Sequence, residues 1–533
     1  MVTAACLFMR QADQRIKKVV IVGGGSAGWI TAGLLAARNP STGPGSVEVM
    51  VIESPDVSTI GVGEGTWPTM RGTLQKIGID EQAFIRRCQA SLKQGTRFNG
   101  WVTGASDDVY YHPFSVPAGY PSAEVVPMWQ ARHDAISFAQ AVTPQARVCD
   151  HGLSPKQAGM PAYAHVLNYG YHLDAGQFAE MLKEHCTQQL GVRHLLDHVT
   201  GIKGSPDENI QGLVMAQSGL IEADLFIDCT GQAAMLIEGH YGIGLSLQDH
   251  VLFNNRAWAS QVPYGEPTGE IQSQTNATAQ QAGWVWDIGL ATRRGIGYVY
   301  SSEHVNDDEA LETLWRYLHA QDNVELRDVQ PRPLQFTPGY RKKFWHRNCV
   351  AVGMSAGFIE PLEASALVMI ELAADLIAEE LPATHETMSL VARRFNDTFT
   401  YRWERIIDFL KLHYVLSQRD DSQYWVDHRD AKSMSDRLRD LLILWQHQVP
   451  SPRDFPQINE IFSAASYQYV LYGMGFKTQA RHRNDGDRQA ELADKLIRDT
   501  AKHTRQLVGD LPSNRAFQQV LLAADVPKRA SMA

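Results

Sequence analysis

Residues 18–37 read KVVIVGGGSAGWITAGLLAA, an apolar run followed by a glycine cluster and a second apolar-rich segment. The apolar run at 19–22 predicts a buried strand, and the segment after the glycine cluster has the composition of a helix. A second apolar run, VEVMVIES at 47–54, follows a loop rich in Pro, Gly and Ser. Two strands joined through a helix predict a βαβ unit and therefore a parallel sheet.

The glycine cluster has the G-x-G-x-x-G spacing, with Gly23, Gly25 and Gly28 at the three required positions. The first two glycines permit a tight turn and a close approach of backbone to a pyrophosphate, and the third lets the helix pack on the strand. The N–H groups of Ser26 and Ala27 would then face the phosphates. Because the cluster follows a strand and opens a helix, it favours a bound dinucleotide over a purely structural turn.

An acidic residue ends the second strand, where a dinucleotide needs one. Glu53 lies 25 residues after Gly28, about where a carboxylate accepts hydrogen bonds from ribose hydroxyls. Two further segments, GVGEGTWP at 61–68 and the predicted strand, turn and helix at 349–366 that contain Gly353, would bring more backbone close to a large cofactor. We therefore expect FAD rather than NAD.

The rest of the chain predicts a sheet assembled from distant segments. ADLFIDCTG at 223–231 and CVAVGMSAG at 349–357 are further strand-like runs, and the pattern becomes helical from about residue 362. The expected fold class is α/β, with a Rossmann-like FAD-binding module, mixed-sheet insertions and a largely helical C-terminal substrate region. The expected boundaries are an N-terminal extension at 1–17, the FAD-binding module at 18–375 with pocket insertions at about 98–170 and 240–340, and the helical region at 376–533.

Composition excludes several classes of protein. With 44% apolar and 20% charged residues, a chain of 533 residues can bury a large core, which argues against disorder. The net charge of −10 provides no general basic field for nucleic acid or anionic lipid. The six cysteines form no Cys-x-x-Cys pair and no stretch has 18 unbroken apolar residues. We expect a cytoplasmic protein without a metal site, a membrane span or a nucleic-acid partner.

One acidic residue is a candidate for chemistry in the segment GFIEPLEASALVMIEL at 357–372. Pro361 suits the first position of a helix, so we expect a helix to begin there. Its first N–H groups lack intrahelical acceptors and could hold an anion or a flavin oxygen. Glu363 is then either an acidic residue favoured near a helix start or a catalytic carboxylate that faces a cavity.

A lysine is the second candidate. QASLKQGTRF at 89–98 alternates like a single strand, which predicts Lys93 on one face and Thr96 and Phe98 on the other. A lysine in such a strand is either solvated or, if it points into a cavity, a hydrogen-bond donor whose basicity falls with burial.

Aromatic pairs offer a wall for a flat substrate. Trp284 and Trp286 share one face of a predicted strand, and His112 and Phe114 share one side of an extended segment. Core packing and a hydrogen-bonded structural histidine are the alternative explanations.

Taken together, these segments resemble the flavin-dependent halogenases of the tryptophan halogenase family, from about residue 18 to 475. The W-x-W-x-I element and the PLE-containing segment, in this order and after a lysine strand, are the specific parts of the resemblance. The matching segments are GGGSAGW (23–29), GVGEGTWP (61–68), ASLKQGTRF (90–98), YHPF (111–114), YHLDAGQFAEML (171–182), WVWDI (284–288), FIEPLEAS (358–365) and HYVLSQRDDSQYW (413–425).

By this resemblance Lys93 matches the essential lysine of the family and Glu363 its essential glutamate. The resemblance implies that reduced FAD from a separate NAD(P)H-dependent flavin reductase, O₂ and chloride or bromide yield hypohalous acid, which crosses an internal passage. Lys93 would hydrogen-bond this acid or carry the halogen as a haloamine, and Glu363 would orient the electrophile and accept the ring proton. The halide would lie near the N–H groups of Ser365 and Ala366.

The resemblance also assigns the aromatic residues and the substrate class. Trp284 and Trp286 would separate the substrate from the flavin, and His112 and Phe114 would contact the aromatic substrate. Gly289 and the sequence Ala-Ser-Ala at 364–366 depart from members that act on tryptophan, and GEGTWP is closer to the branch with indole-like or unassigned substrates. The family implies a homodimer by analogy. A flavin-dependent aromatic hydroxylase and a non-catalytic flavin-binding protein are the alternatives.

Overall fold

The computed structural model describes residues 15–39, 41–43, 45–57, 63–122, 125–322, 324–479 and 486–523. The expected N-terminal extension lies outside the described residues as far as Gln14, and so do Gly61 and Val62 of the GVGEGTWP segment. The strands of the described residues are β1 (Lys18–Val22), β2 (Glu48–Glu53), β3 (Glu64–Gly65), β4 (Ser91–Lys93), β5 (Gly95–Asn99), β6 (Val109–Pro113), β7 (Gly170–Leu173), β8 (Arg193–Leu196), β9 (Val199–Lys203), β10 (Gly212–Met215), β11 (Leu220–Glu222), β12 (Leu225–Asp228), β13 (Leu245–Leu247), β14 (Arg256–Pro263), β15 (Thr275–Gln280), β16 (Gly283–Gly289), β17 (Arg293–Tyr300), β18 (Arg332–Gln335), β19 (Gly339–Arg341), β20 (Trp345–His346), β21 (Cys349–Ala351) and β22 (Gly357–Phe358).

Helices cover much of the chain and dominate its C-terminal part. In chain order they are α1 (Ser26–Arg38), α2 (Thr69–Ile77), α3 (Glu81–Arg87), α4 (Val125–Arg132), α5 (Phe138–Val142), α6 (Gln145–Asp150), α7 (Ala175–Gln189), α8 (Asp307–His319), α9 (Ser365–Glu379), α10 (His385–Val415), α11 (Gln423–His428), α12 (Asp436–Trp445), α13 (Ala464–Gly473), α14 (Gly486–Asp510) and α15 (Asn514–Ala523). No helix within the described ranges has both the length and the apolar character needed to cross a membrane.

The sheet that contains β1 is parallel except at one edge. Its strand order is β20-β21-β12-β1-β2-β8, and only the β20–β21 pair is antiparallel. The prediction of a sheet assembled from distant segments is confirmed, because β12 and β21 are the runs predicted at 223–231 and 349–357. Helix α1 connects β1 to β2 and packs against α7 and α9, which brings the start of α9 towards the glycine turn.

A second, mixed sheet forms the wall of the site. Its order is β18-β14-β17-β16-β15-β5-β6, and all pairs are antiparallel except β15 with β5. All seven residues of β16 are buried. The expectation of an α/β fold with mixed-sheet insertions is confirmed by this sheet.

The prediction of one continuous strand over residues 89–98 is wrong. Strand β4 pairs with β7 in a small sheet of order β3-β7-β4, whereas β5 belongs to the mixed sheet. The two strands part at Gly95, whose φ of +146° favours glycine and where a Cβ would collide with the carbonyl oxygen of His112. The alternation is lost there, and Lys93 and Thr96 line the same cavity instead of opposite faces.

The predicted helix start at Pro361 is only partly right: a distorted 3₁₀ helix, Leu362–Ala364, follows Pro361, but the α-helix α9 begins only at Ser365. Glu363 (φ 65°) and Ala364 (φ 55°) adopt the left-handed conformation, which costs a non-glycine residue about 1–2 kcal/mol. Such strain persists only where surrounding contacts fix it. Here the indole N–H of Trp67 donates to the carbonyl oxygen of Glu363 at 2.7 Å.

Candidate active site

The glycine turn leaves one position open to a ligand. A Cβ on Gly23 would collide with the carbonyl oxygen of Cys229, and a Cβ on Gly28 would collide with that of Gly23. Gly25 precedes α1 in extended conformation, and a Cβ there would meet no described atom within 4 Å. The packing therefore requires the first and third glycines, while Gly25 and the start of α1 at Ser26 remain accessible.

A carboxylate and a second glycine lie beside this turn. The side chain of Glu53 lies against Gly24, and its carboxylate forms an ion pair with Nε2 of His194 at 2.8 Å. Gly353, with φ of +77°, lies so close to Ala27 that a larger residue would displace it. The structure thus brings Gly25, Ser26, Ala27, Glu53 and Gly353 to one end of the parallel sheet, an arrangement that fits a dinucleotide.

An apolar cleft continues from Gly353 to the start of α9. Ser365 and Ala366 line it together with Met369 and Ile370. Ala366 and Phe358 also line the neighbouring cavity, so the two spaces share a boundary.

That neighbouring cavity, of about 140 Å³, contains the candidate catalytic pair. Lys93 and Glu363 both line it, although they are distant in sequence, and both are at most 5% exposed. The lining residues are Gly63, Glu64, Gly65, Lys93, Thr96, Thr275, Ala277, Trp284, Trp286, Ile288, Phe358, Pro361, Leu362, Glu363, Ala364 and Ala366.

Two histidines hold the Glu363 carboxylate. His112 Nδ1 lies 2.8 Å from Oε1, His413 Nε2 lies 3.4 Å from the same oxygen, and the Thr96 hydroxyl donates to Oε2 at 3.5 Å. Burial opposes ionisation, but the two histidines outweigh it and hold the pKa of Glu363 well below its usual range. The residue is therefore a carboxylate at neutral pH.

Lys93 supplies the opposite charge. Burial lowers its pKa to about 8, although the Glu363 carboxylate acts in the other direction. Its Nζ lies 5.4 Å from the centre of the Phe114 ring, within the range of a cation–π contact. The cavity thus contains an ammonium that is close to losing its proton and a fully ionised carboxylate.

Of the four aromatic candidates, Trp284 and Trp286 line this cavity, whereas His112 and Phe114 do not. Trp284 and Trp286 line the cavity with their ring centres 6.5 Å apart. His112 packs near Phe409 and Phe462, whose rings stack at 3.7 Å. The structure therefore makes His112 a partner of Glu363 and does not place it in the lining of this cavity.

Sequence reasoning missed several residues of the site. Nδ1 of His413, on α10, lies 2.6 Å from the hydroxyl of Tyr110, and its Nε2 faces Glu363. Thr96 was missed because the alternation was read through Gly95. His413 and Trp67 lie in segments that carry the family resemblance, and this position was the available indication that they belong to the site.

A sequence profile of the tryptophan halogenase family matches residues 18–489. The chain belongs to this family. It is 31% identical over 480 residues to tryptophan 6-halogenase SttH of Streptomyces toxytricini, with 86% of this chain and 89% of that protein covered. A crystal structure of a tryptophan halogenase from Shewanella frigidimarina superposes with a TM-score of 0.91 at 47% identity, covering 96% of this chain and 98% of the other.

A third similar structure is named as a flavin-dependent halogenase, without tryptophan as its substrate. BrvH, a flavin-dependent halogenase from Brevundimonas sp. BAL3, matches with a TM-score of 0.84 at 29% identity, covering 96% of this chain and all of the other. The protein is thus an enzyme, a flavin-dependent halogenase of aromatic substrates.

Proposed function

We propose that this halogenase uses reduced FAD and O₂ to chlorinate or brominate an electron-rich, indole-like substrate, with hypohalous acid held by Lys93 and Glu363. The observation that carries the proposal is the pair of opposite charges in one buried cavity. This cavity shares a boundary with the cleft at α9 and has the two tryptophans in its wall.

The residues around the glycine turn fit FAD. The open position at Gly25 and the N–H groups at the start of α1 suit a pyrophosphate, and Glu53 suits the ribose. FAD bound by these residues, once reduced by a separate NAD(P)H-dependent reductase, would supply the electrons needed for O₂ to oxidise halide. The N–H groups of Ser365 and Ala366, at the positive end of α9, would hold the halide.

Lys93 would receive the oxidised halogen. An ammonium donates a hydrogen bond to the oxygen of hypohalous acid, which increases the electrophilic character of the halogen atom. The position of Lys93 Nζ near the Phe114 ring favours the charged form. We therefore favour a hydrogen-bonding ammonium over a haloamine.

Glu363 would complete the substitution. When the aromatic ring attacks the halogen, the ring becomes a cationic arenium that must lose a proton. A carboxylate stabilises this positive charge and accepts the proton, and its low pKa is sufficient because the arenium is strongly acidic. His112 and His413 hold the carboxylate in place.

Matched glycine substitutions test the cofactor site. Gly25→Ala should leave the melting temperature of the apoprotein within a few degrees of wild type, because its Cβ meets no described atom, but weaken FAD binding at least ten-fold. Gly28→Ala should lower the apoprotein melting temperature, since its Cβ collides with the Gly23 carbonyl. Thermal unfolding and FAD titration by fluorescence measure both effects. If Gly25→Ala binds FAD as tightly as wild type, the pyrophosphate does not bind at this turn.

The pH dependence tests the charge state of Lys93. The halogenation rate should fall as pH rises through about 8, because the ammonium loses its proton there rather than near the usual lysine pKa. The measurement is kcat against pH with chemically reduced FAD, which removes the titration of the reductase. A rate that increases with pH over the same range would favour the haloamine route.

Product analysis tests the proposed function. Purified protein with FAD, a flavin reductase, NADH, bromide and indole should yield brominated indole, recognised in the mass spectrum by the bromine isotope pair. A hydroxylated product would indicate an aromatic hydroxylase. Binding without any turnover across a panel of indoles and phenols would indicate a non-catalytic flavoprotein.

A further inference from the structure

A second glutamate of the FIEPLEAS segment has contacts that the reaction does not explain. Glu360 is 1% exposed, and its Oε2 accepts three hydrogen bonds. The donors are the indole N–H of Trp284 at 2.6 Å, the side-chain amide of Asn254 at 2.6 Å and the hydroxyl of Tyr414 at 2.7 Å. One carboxyl thus joins β16, the segment before β14 and helix α10.

The position of Glu360 links two parts of the cavity. Trp284 lines the cavity with its ring, while its N–H points to Glu360. Glu360 also lies three residues before Glu363, at the start of the turn in which Glu363 and Ala364 are left-handed. Such a strained turn persists only where surrounding contacts hold it. The three hydrogen bonds to Glu360 hold its N-terminal end.

We propose that Glu360 is a positioning residue for halogenation: it holds the Trp284 indole and anchors the turn that carries Glu363, so that hypohalous acid stays in the cavity until it meets the substrate. This inference rests on the proposed function. Loss of the bond would let the indole rotate and open the wall, and the oxidant would leave before it reacts.

The chain offers a matched control. Glu371, on α9, is equally buried at 3% exposure, but it accepts hydrogen bonds from the hydroxyls of Thr69 and Thr73 on α2. Within the described part of the chain, neither of these two threonines lines the cavity that contains Lys93. A general effect of replacing a buried carboxyl should therefore also occur in Glu371→Gln.

The first measurement is the coupling ratio, the brominated indole formed per reduced FAD consumed, with a dye that traps free hypobromous acid. Glu360→Met keeps the volume but removes the acceptor, and it should lower the ratio at least five-fold and increase the trapped oxidant. Glu360→Gln keeps an acceptor oxygen and should retain at least half of the wild-type ratio. Trp284→Phe breaks the same bond from the other side, so the double variant should be no worse than the worse single one.

The second measurement needs no activity. In apoprotein labelled with 5-fluorotryptophan, the ¹⁹F resonance that Trp284→Phe removes should broaden or split in Glu360→Met and remain sharp in Glu371→Gln. If Glu360→Met does not fold, the coupling ratio of Trp284→Phe decides, because an unchanged ratio there overturns the proposal.

The outcomes separate the inference from the proposed function. Wild type without brominated product refutes the function. If wild type is active, two results overturn the role of Glu360 alone. One is an unchanged coupling ratio together with an unchanged ¹⁹F resonance in Glu360→Met. The other is a loss in the double variant that equals the product of the two single losses.

Discussion

Replacing Lys93 by methionine should lower the formation of halogenated product about a thousand-fold, the upper end of the range for removal of one preorganised donor. Methionine is similar in length and apolar, so it fills the buried site without the ammonium that we propose holds the oxidised halogen. Because Lys93 lines the cavity with Glu363 and not the glycine turn, FAD affinity should remain within two-fold of wild type.

The measurement for Lys93→Met is single-turnover product formation, followed together with the FAD dissociation constant. Reduced FAD should still be consumed, and the oxidant should appear in an external trap instead of in the product. Product formation within ten-fold of wild type would contradict the role of Lys93.

The second large effect is expected for Glu363→Gln. An amide retains the shape of the side chain and an oxygen for the His112 Nδ1–H, but it cannot take the ring proton or balance the charge of the arenium. The rate should fall about 100- to 1,000-fold, in the range for loss of general base catalysis.

A kinetic isotope effect identifies the step that Glu363→Gln slows. With indole deuterated at the reacting carbon, the variant should show a primary isotope effect, because loss of the ring hydrogen becomes rate-limiting. The wild type should show none or a smaller one. A full wild-type rate in the variant, or a slow rate without any isotope effect, would exclude Glu363 as the base. Glu371→Gln is the control for replacement of a buried carboxyl.

Sequence patterns predicted the parts of the fold that depend on interactions between residues close together in the chain. The run at 19–22, the glycine turn and the helix after it follow each other closely in sequence, so the βαβ unit could be read directly. The alternating pattern at 89–98 failed because it cannot show that the chain changes sheets at Gly95.

The prediction of a helix start at Pro361 was only partly right, because tertiary contacts determine the conformation of this turn. Pro361 favours a helix start, but the contacts of Trp67, His112 and His413 hold Glu363 in a left-handed conformation that no local propensity predicts. His413 comes from helix α10, and its approach to Glu363 depends on how that helix packs. The resemblance could identify Lys93 and Glu363, but only the structure places the two histidines on the carboxylate.

We propose that halide oxidation and ring substitution occur in adjacent but separate spaces. A crystal structure of the enzyme with FAD and bromide, measured at the bromine absorption edge, would show both spaces at once. We expect an anomalous peak at the N–H groups of Ser365 and Ala366. The flavin ring should lie on the glycine-turn side of the wall formed by Trp284 and Trp286, with Lys93 and Glu363 on the other side. A flavin ring in open contact with Lys93 and Glu363, or bromide bound away from the start of α9, would contradict it.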